Sequence, residues 1–285
     1  MNESKSSLST RKITKVVDGK EARQFEDVLT GEEPLAIIIH YEKKGALVEF
    51  PLSITMRTPG ADEALVSGFL LTEGIIDSPG QIASIESDGM SGNALLRDQT
   101  IRVTLKKGFA FDEDQFNRNF YASSSCGVCG KNSIDQLEKH ILTVLPQGSP
   151  RVSVETVVQL NEKMRSNQQL FHQTGGIHGT AVFDSSGNLQ FLEEDVGRHN
   201  AMDKVIGQLM RRDALPAMES IVSVSGRAGF ELVQKALIAG FPIMTAVGAP
   251  SDLAADLADA YGMTLIGFLK GKQFNIYTHP QRILF

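Results

Sequence analysis

The strongest constraint on the fold lies between Ser220 and Thr278. Short apolar runs there alternate with helical patterns. Ser220 to Ser225, Pro242 to Val247 and Thr264 to Leu269 read as buried strands. Phe230 to Ala239 and Ser251 to Tyr261 read as the helices between them. Strand–helix–strand spacing of this kind predicts parallel strands covered by helices, because a parallel crossover needs a helix-length connection. Lys270-Gly271-Lys272 turns the chain into a last strand, Phe274 to Thr278. Upstream, Asn200 to Arg211 has the apolar period of a helix. Gly179 to Phe183 and Asn188 to Leu192 flank Asp184-Ser-Ser-Gly187 as a hairpin.

The first part of the chain has a different pattern. Residues 1–12 are polar and serine-rich, and are expected to be a disordered tail. Leu35 to Ile39 and Gly45 to Met56 read as strands joined by a turn at Glu42-Lys43-Lys44-Gly45. Pro59-Gly60-Ala61-Asp62 ends the second strand and starts a helix carrying Leu65, Phe69 and Leu70 on one face. Ile82 to Glu86 and Ile101 to Leu105 read as further strands, with a loop at Asp88 to Asn93. The expected organisation is a small α+β unit over residues 13–120, a mobile loop over 121–131, and an α/β domain over 132–285. The last begins with helices at Asn132 to Leu142 and Val154 to Asn167. No internal repeat is visible.

Composition narrows the function classes. Arginine and lysine number 28 against 34 acidic residues, a net charge of −6, so indiscriminate binding to nucleic acid or anionic lipid is not expected. An anionic ligand must be held by a local basic site. The longest apolar runs are far shorter than the roughly 18 residues of a membrane span. No leader-like apolar stretch opens the chain, and a cytoplasmic location is expected. The two cysteines cannot build a disulfide framework.

Both cysteines sit in Ala122-Ser-Ser-Ser125-Cys126-Gly127-Val128-Cys129-Gly130, a segment with little that could pack a core. The C-x-x-C spacing is compatible with a redox couple, half a zinc site, a nucleophile with a helper thiol, or coincidence, the last disfavoured because structural cysteines are usually embedded in apolar sequence. The predicted helix at Asn132 and the charge of Lys131 supply the positive field that a reactive thiolate needs. The flanking glycines leave the sulfurs accessible. A zinc site is disfavoured, because 42 residues separate Cys129 from His172 in the His172–His178 pair, well beyond finger-like spacing. The H-x-E of His40-Tyr41-Glu42 lies far upstream, and Ser125 replaces the proline of a deaminase P-C-x-x-C. No metal ligands are assigned.

Two further segments are candidates for anion binding. Ser225-Gly226-Arg227-Ala228-Gly229 lies between a strand and a helix, where backbone N–H groups and the helix dipole favour phosphate, and Arg227 adds a bidentate donor. Lys270-Gly271-Lys272 puts two cations on one turn, although such pairs are commonly solvated hairpin tips. His199 and Asp203 are four residues apart on one helical face, as a polarising group or a structural pair. His178 follows two glycines and is a candidate pocket residue.

A series of motifs in fixed order resembles the FdhD family of sulfur-carrier accessory proteins for formate dehydrogenase. These are Thr55-Met-Arg-Thr-Pro-Gly60, Gly68-Phe-Leu-Leu-Thr-Glu-Gly74, Ser125-Cys-Gly-Val-Cys-Gly130 and Thr174-Gly-Gly-Ile-His178. They continue through Glu194-Asp-Val-Gly-Arg-His-Asn-Ala201 and Ser225-Gly-Arg227 to Asn275-Ile-Tyr-Thr-His-Pro-Gln-Arg282. The resemblance implies a cytidine-deaminase-like mixed α/β fold without the deaminase zinc. It implies that persulfide sulfur passes from a cysteine desulfurase, through Cys126, to the Mo-bis(molybdopterin guanine dinucleotide) cofactor of formate dehydrogenase. Cys129 is then a helper or a hazard. The family's cofactor-binding stretch maps onto Phe268, Leu269, Lys270, Gly271, Lys272 and Gln273, with Gly226 and Arg227 as further candidates. A homodimer is expected. The rival readings are a cofactor chaperone whose thiols do no chemistry, a zinc-dependent hydrolase, and a dithiol oxidoreductase.

Overall fold

A computed structural model describes residues 7–19, 21–88, 99–113 and 144–285. The Cys126–Cys129 segment, the predicted helix at Asn132 to Leu142 and the predicted loop from residue 89 onward lie outside the described residues.

The first strands are β1 (Leu8–Val17), β2 (Glu21–Thr30), β3 (Glu33–Lys43) and β4 (Ala46–Arg57). They are followed by helix α1 (Asp62–Thr72), β5 (Ile82–Asp88), β6 (Gln99–Leu105) and the short β7 (Val152–Ser153). Next come α2 (Val154–Asn167), α3 (Gln169–Thr174), β8 (His178–Asp184), β9 (Leu189–Asp195) and α4 (Arg198–Met210). The chain ends with β10 (Ser220–Val224), α5 (Phe230–Ile238), β11 (Ile243–Ala246), α6 (Asp252–Ala260), β12 (Thr264–Lys270), β13 (Gln273–Ile276) and β14 (Ile283–Leu284).

The central sheet has six strands in the order β13-β12-β11-β10-β8-β9. The predicted parallel unit is its middle: β10, β11 and β12 run parallel, flanked by antiparallel β13 and β8. Residues alternate between its two faces, as a pleated strand requires. Val222, Met244 and Leu265 face a core containing α4, α5 and α6. Ile221, Ile243 and Ile266 face the side covered by Val157, Leu160 and Met164 of α2. Both faces are buried, so these strands read in sequence as unbroken apolar runs. The mixed α/β class expected from the sequence is the observed one.

The N-terminal strands form a second sheet, β4-β3-β6-β5, in which β3 and β6 are parallel. Leu35, Ile37, Ile39 and Tyr41 point inward with Ile101, Val103 and Leu105. The predicted turn between β3 and β4 is present, with Lys44 and Gly45 both at positive φ, 53° and 81°. This unit is not separated from the rest: its core is continuous with that of α4 to α6. Helix α1 crosses α4 with backbones nearly touching. A Cβ at Gly68 would fall on the carbonyl of Asp203, and one at Gly207 on the carbonyl of Ala64. Those two glycines set the closeness of the crossing.

The expectation of a disordered tail over residues 1–12 is corrected from Leu8 onward. Leu8 to Lys12 belong to β1, paired antiparallel with β2 from Leu8↔Thr30 to Val17↔Glu21. Opposite charges face each other at Arg11↔Asp27 and Lys12↔Glu26. Nearly all side chains of β1 are exposed, so no alternation of apolar residues marks the strand. The hairpin is tied to the body where Thr30 Oγ1 donates to Thr174 Oγ1 at 2.9 Å. Among the described residues no helix is long and apolar enough to cross a membrane.

Candidate functional site at the strand ends

The carboxyl ends of β10, β11 and β12 come together at one edge of the central sheet, and the start of antiparallel β8 reaches the same edge. In open α/β sheets this edge is where ligands bind, because the loops leaving adjacent strands converge there. Backbone bonds lace the loops together. Ser225 N donates to Gly179 O at 2.9 Å, and Gly179 N donates to Ser225 Oγ at 2.8 Å. Gly248 N donates to Gly226 O at 2.9 Å, and Phe268 N donates to Gly248 O at 3.1 Å. Gly248 leaves little room for a side chain, because a Cβ would stand 3.0 Å from Arg227 Cγ and 3.1 Å from Gly226 O.

The candidate residues therefore divide. Gly226, Arg227 and Phe268 share this crest, linked through Gly248. Arg227 is exposed, and so is Phe268, which adopts a left-handed conformation with φ 54°. Lys270, Gly271, Lys272 and Gln273 form the exposed tip of the β12–β13 hairpin, with Gly271 at φ 60°. Leu269 is corrected as a side-chain contact: it is fully buried in the core beneath α2. The pairing of β12 with β13 is irregular between Gly267 and Lys270, and this sends Phe268 outward while Leu269 stays inside. Cys126 and Cys129 lie outside the described residues.

Histidines mark the β8 side of the crest. A Cβ on Gly226 would stand 3.4 Å from His178 Nδ1, which places the half-buried imidazole directly over that loop. Burial holds the His178 pKa below its ordinary value, and the neighbouring Arg198 and His199 push the same way against Asp195. His199 and Asp203 do not pair with each other. Helix α5 runs alongside α4 and supplies a partner to each. His199 Nε2 bonds Glu231 Oε2 at 2.9 Å. Lys235 Nζ donates to both Asp203 oxygens at 2.9 Å and to Thr72 Oγ1 at 2.7 Å. Burial alone would raise the Glu231 carboxyl, but the hydrogen bond and charge of His199, together with the charge of Lys235, outweigh it and leave the group below its ordinary value. Burial would likewise lower Lys235, yet Asp203 and Glu73 hold it above its ordinary value, while burial keeps the Asp203 carboxyl above its own.

A second charged assembly fixes the start of α4. Asp195 and Lys204 are both buried and 2.7 Å apart. Asp195 also accepts from Thr58 N at 3.1 Å, Gly197 N at 2.8 Å and Asn200 Nδ2 at 3.0 Å. Lys204 Nζ donates to Thr58 O at 2.9 Å. Arg57 is fully buried and forks onto Asp62 at 2.9 and 3.0 Å. Thr55 to Gly60 is thus bolted to Glu194 to Ala201, and that bolt positions Arg198 and His199. Residue-by-residue reading assigned these groups no role. The available signal was a charge set among the apolar positions of a helix, as at Lys204. Among the described residues no group of three or more His, Cys, Asp or Glu is arranged to hold a metal ion.

Comparison with known proteins places this architecture. The family model described as FdhD/NarQ matches residues 31–284. The chain belongs to the FdhD/NarQ family. It is 43% identical over 272 residues to the sulfur carrier protein FdhD of Sulfolobus acidocaldarius, covering 95% of this chain and 97% of that one. It is 42% identical over 262 residues to the protein of that name from Mycobacterium tuberculosis, covering 90% and 92%. The Streptomyces avermitilis protein of that name is 39% identical over 275 residues, covering 96% and 94%. Among solved structures, a protein from Desulfotalea psychrophila described as a formate dehydrogenase accessory protein superposes with a TM-score of 0.71. It shares 23% identity and covers 98% of this chain and 100% of its own. That likeness shows the fold.

Proposed function

We propose that this chain is a cytoplasmic sulfur carrier for formate dehydrogenase. Cys126 accepts persulfide sulfur from a cysteine desulfurase and hands it to the Mo-bis(molybdopterin guanine dinucleotide) cofactor, which is the bound acceptor. The observation that carries the reading is the Cys126-Gly-Val-Cys129 pair in a serine–glycine segment, in a chain matching proteins named sulfur carriers along almost its whole length.

The chemistry is thiol exchange. The Cys126 thiolate attacks the outer sulfur of the donor's persulfide, the S–S bond breaks, and the electron pair leaves on the donor's thiolate. The outer sulfur keeps its proton and stays on Cys126. Cys129 attacking the inner sulfur would instead form a disulfide and release hydrogen sulfide, so it must be held out of line or act as a helper. The acceptor carries phosphates, and an acidic chain needs a local basic site for them. Arg227 with the glycine loops 225–229 and 248, and Lys270 with Lys272 at the hairpin tip, supply one. The acting form is taken to be a homodimer, the commonest closed assembly.

The test is the mass of the Cys126 peptide after incubation with a desulfurase and cysteine. One added sulfur atom is expected. Cys126→Ala should abolish carriage and dehydrogenase activation, whereas Cys129→Ala should weaken them less. An unmodified peptide together with intact activation by Cys126→Ala would replace this reading with a cofactor chaperone whose thiols are idle.

A further inference from the structure

Seven of the thirteen large apolar side chains exposed among the described residues belong to two neighbouring elements, the β1–β2 hairpin and the outer face of β4. The hairpin's register puts Leu29, Phe25, Ile13 and Val17 on one face, and Phe25 is 49% exposed. The hairpin is a sheet of two strands only. Such a pair, with no third strand and no core, is at best marginally stable in water. A contact on its apolar face is what would hold it.

Strands β3 and β4 bury one face in the core and turn the other to solvent. The outward row pairs Pro34 with Met56, Ala36 with Ile54, His40 with Glu49 and Glu42 with Leu47. The solvated face of an antiparallel pair is ordinarily polar, yet Ile54 is 68% exposed and Met56 49%. The row is apolar at its Met56 end and acidic near Leu47, where Glu42 and Glu49 are exposed. A chain's hairpin does not cover its own row. Thr30 is held at Thr174 of α3, and Gly31 N closes the hairpin base on Ser7 O at 2.7 Å. Ile54 and Met56 of the same chain stay in water.

We propose that the hairpin of one copy lies along the outward β3–β4 row of a second copy, and the reverse, in an arm-exchanged homodimer. This rests on the homodimer taken above and gives it a surface. The lengths match: Leu29 to Arg23 and Met56 to Glu49 each span about 20 Å at ordinary strand rise. The charges match as well. Lys15 and Arg23 stand opposite each other on the hairpin's apolar face, a like-charge pair whose field suits carboxylates. With Leu29 over Met56, Phe25 falls between Ile54 and Pro51, and the two cations reach Glu49 and Glu42. Area favours a second copy over an unrelated partner. A hairpin two strands wide and about 30 Å long covers roughly 300 Å² of each surface it meets. One such contact is too small for a specific interface, whereas reciprocal exchange buries about 1,200 Å², where specific interfaces begin. Each chain carries both arm and row, so a twofold axis closes the assembly.

The experiment uses the full chain in sedimentation velocity and light scattering at micromolar concentration. The wild-type chain should be a dimer. Phe25→Asp on the arm and Ile54→Asp on the row should each weaken it about a hundredfold or more, since each change enters the dimer twice. Both side chains are exposed in the single chain, so circular dichroism spectra should match wild type. Mixing the two variants should recover a dimer, because the arm of Ile54→Asp still fits the row of Phe25→Asp. With p-benzoylphenylalanine in place of Phe25, irradiation of mixed heavy-isotope and unlabelled chains should join residue 25 of one copy to the peptide 47–57 of the other. A dimer that survives both substitutions, no recovery on mixing, or cross-links confined within one chain would overturn the arm exchange while leaving a homodimer through another surface. A monomeric wild-type chain would overturn the homodimer as well. Sulfur loading of Cys126 is read independently by mass.

Discussion

Lys235 and Asp203 give the sharpest test of what holds the site's helices in place. Lys235→Met removes a buried ammonium that donates to both oxygens of Asp203 and to Thr72 Oγ1. Asp203 keeps one donor, Thr72 Oγ1 at 2.8 Å, and its carboxylate is otherwise stranded in the interior. Breaking a buried pair by deleting one partner costs about 3–5 kcal/mol. At roughly 2 °C per kcal/mol for a chain of this size, the melting temperature should fall by about 6–10 °C. Replacing both partners, as Lys235→Met with Asp203→Leu, should recover much of the loss because no charge is left unpaired. The sign of the pH dependence follows from burial, which already raises the Asp203 carboxyl despite Lys235. Without Lys235 it is raised further, and between its unfolded and folded values the native state holds a proton that the unfolded state has released. Stability contributed by that proton is complete at low pH and lost as pH rises. The deficit of Lys235→Met should therefore be smaller at pH 5 than at pH 7. Thermal unfolding by circular dichroism at both pH values reads this directly. A single variant within 1 kcal/mol of wild type, or a double variant worse than the single, would refute the reasoning.

Other consequences are as concrete. Gly207→Ala puts a methyl group onto the Ala64 carbonyl and should cost about 3 kcal/mol or prevent folding, measured by urea titration. Ser223 and Thr245 are adjacent across β10 and β11, with buried hydroxyls that have no hydrogen-bond partner among the described residues. Thr245→Val should leave the melting temperature unchanged or raise it, and a fall of several degrees would show that the hydroxyl is satisfied. His178, held below its ordinary pKa by burial, contributes stability that is present above about pH 6.5 and is lost as pH falls through its folded value. Its NMR titration midpoint should lie below 6.5, and His178→Gln should flatten the acid-side loss.

The strands and helices after Ser220 were legible because both faces of the central sheet are covered, which writes long apolar runs into the sequence. The helix predicted over Val154 to Asn167 has the observed bounds, since Val157, Leu160 and Met164 form a single buried stripe. The N-terminal hairpin was illegible for the opposite reason: a strand exposed on both faces has no periodicity to read. The candidate edge was half legible. Gly226 and Arg227 stand at a strand–helix junction, which sequence can locate, but their meeting with Phe268 depends on β11 lying between them. A contiguous motif treats Phe268 and Leu269 alike, whereas the strand buries the Leu269 side chain and leaves Phe268 exposed. His199 and Asp203 share a helix face as their spacing requires, yet their partners come from a helix some thirty residues downstream, which no local pattern contains.

The Gly68–Gly207 crossing has an evolutionary corollary. Two helices meshed at van der Waals distance through missing side chains cannot be exchanged one at a time. A lineage that traded away the amino-terminal half would leave a bare trough along the other half, fit only for a replacement with glycine or alanine at the same register. Modular shuffling is closed to such a chain, and its two halves are inherited as one heirloom.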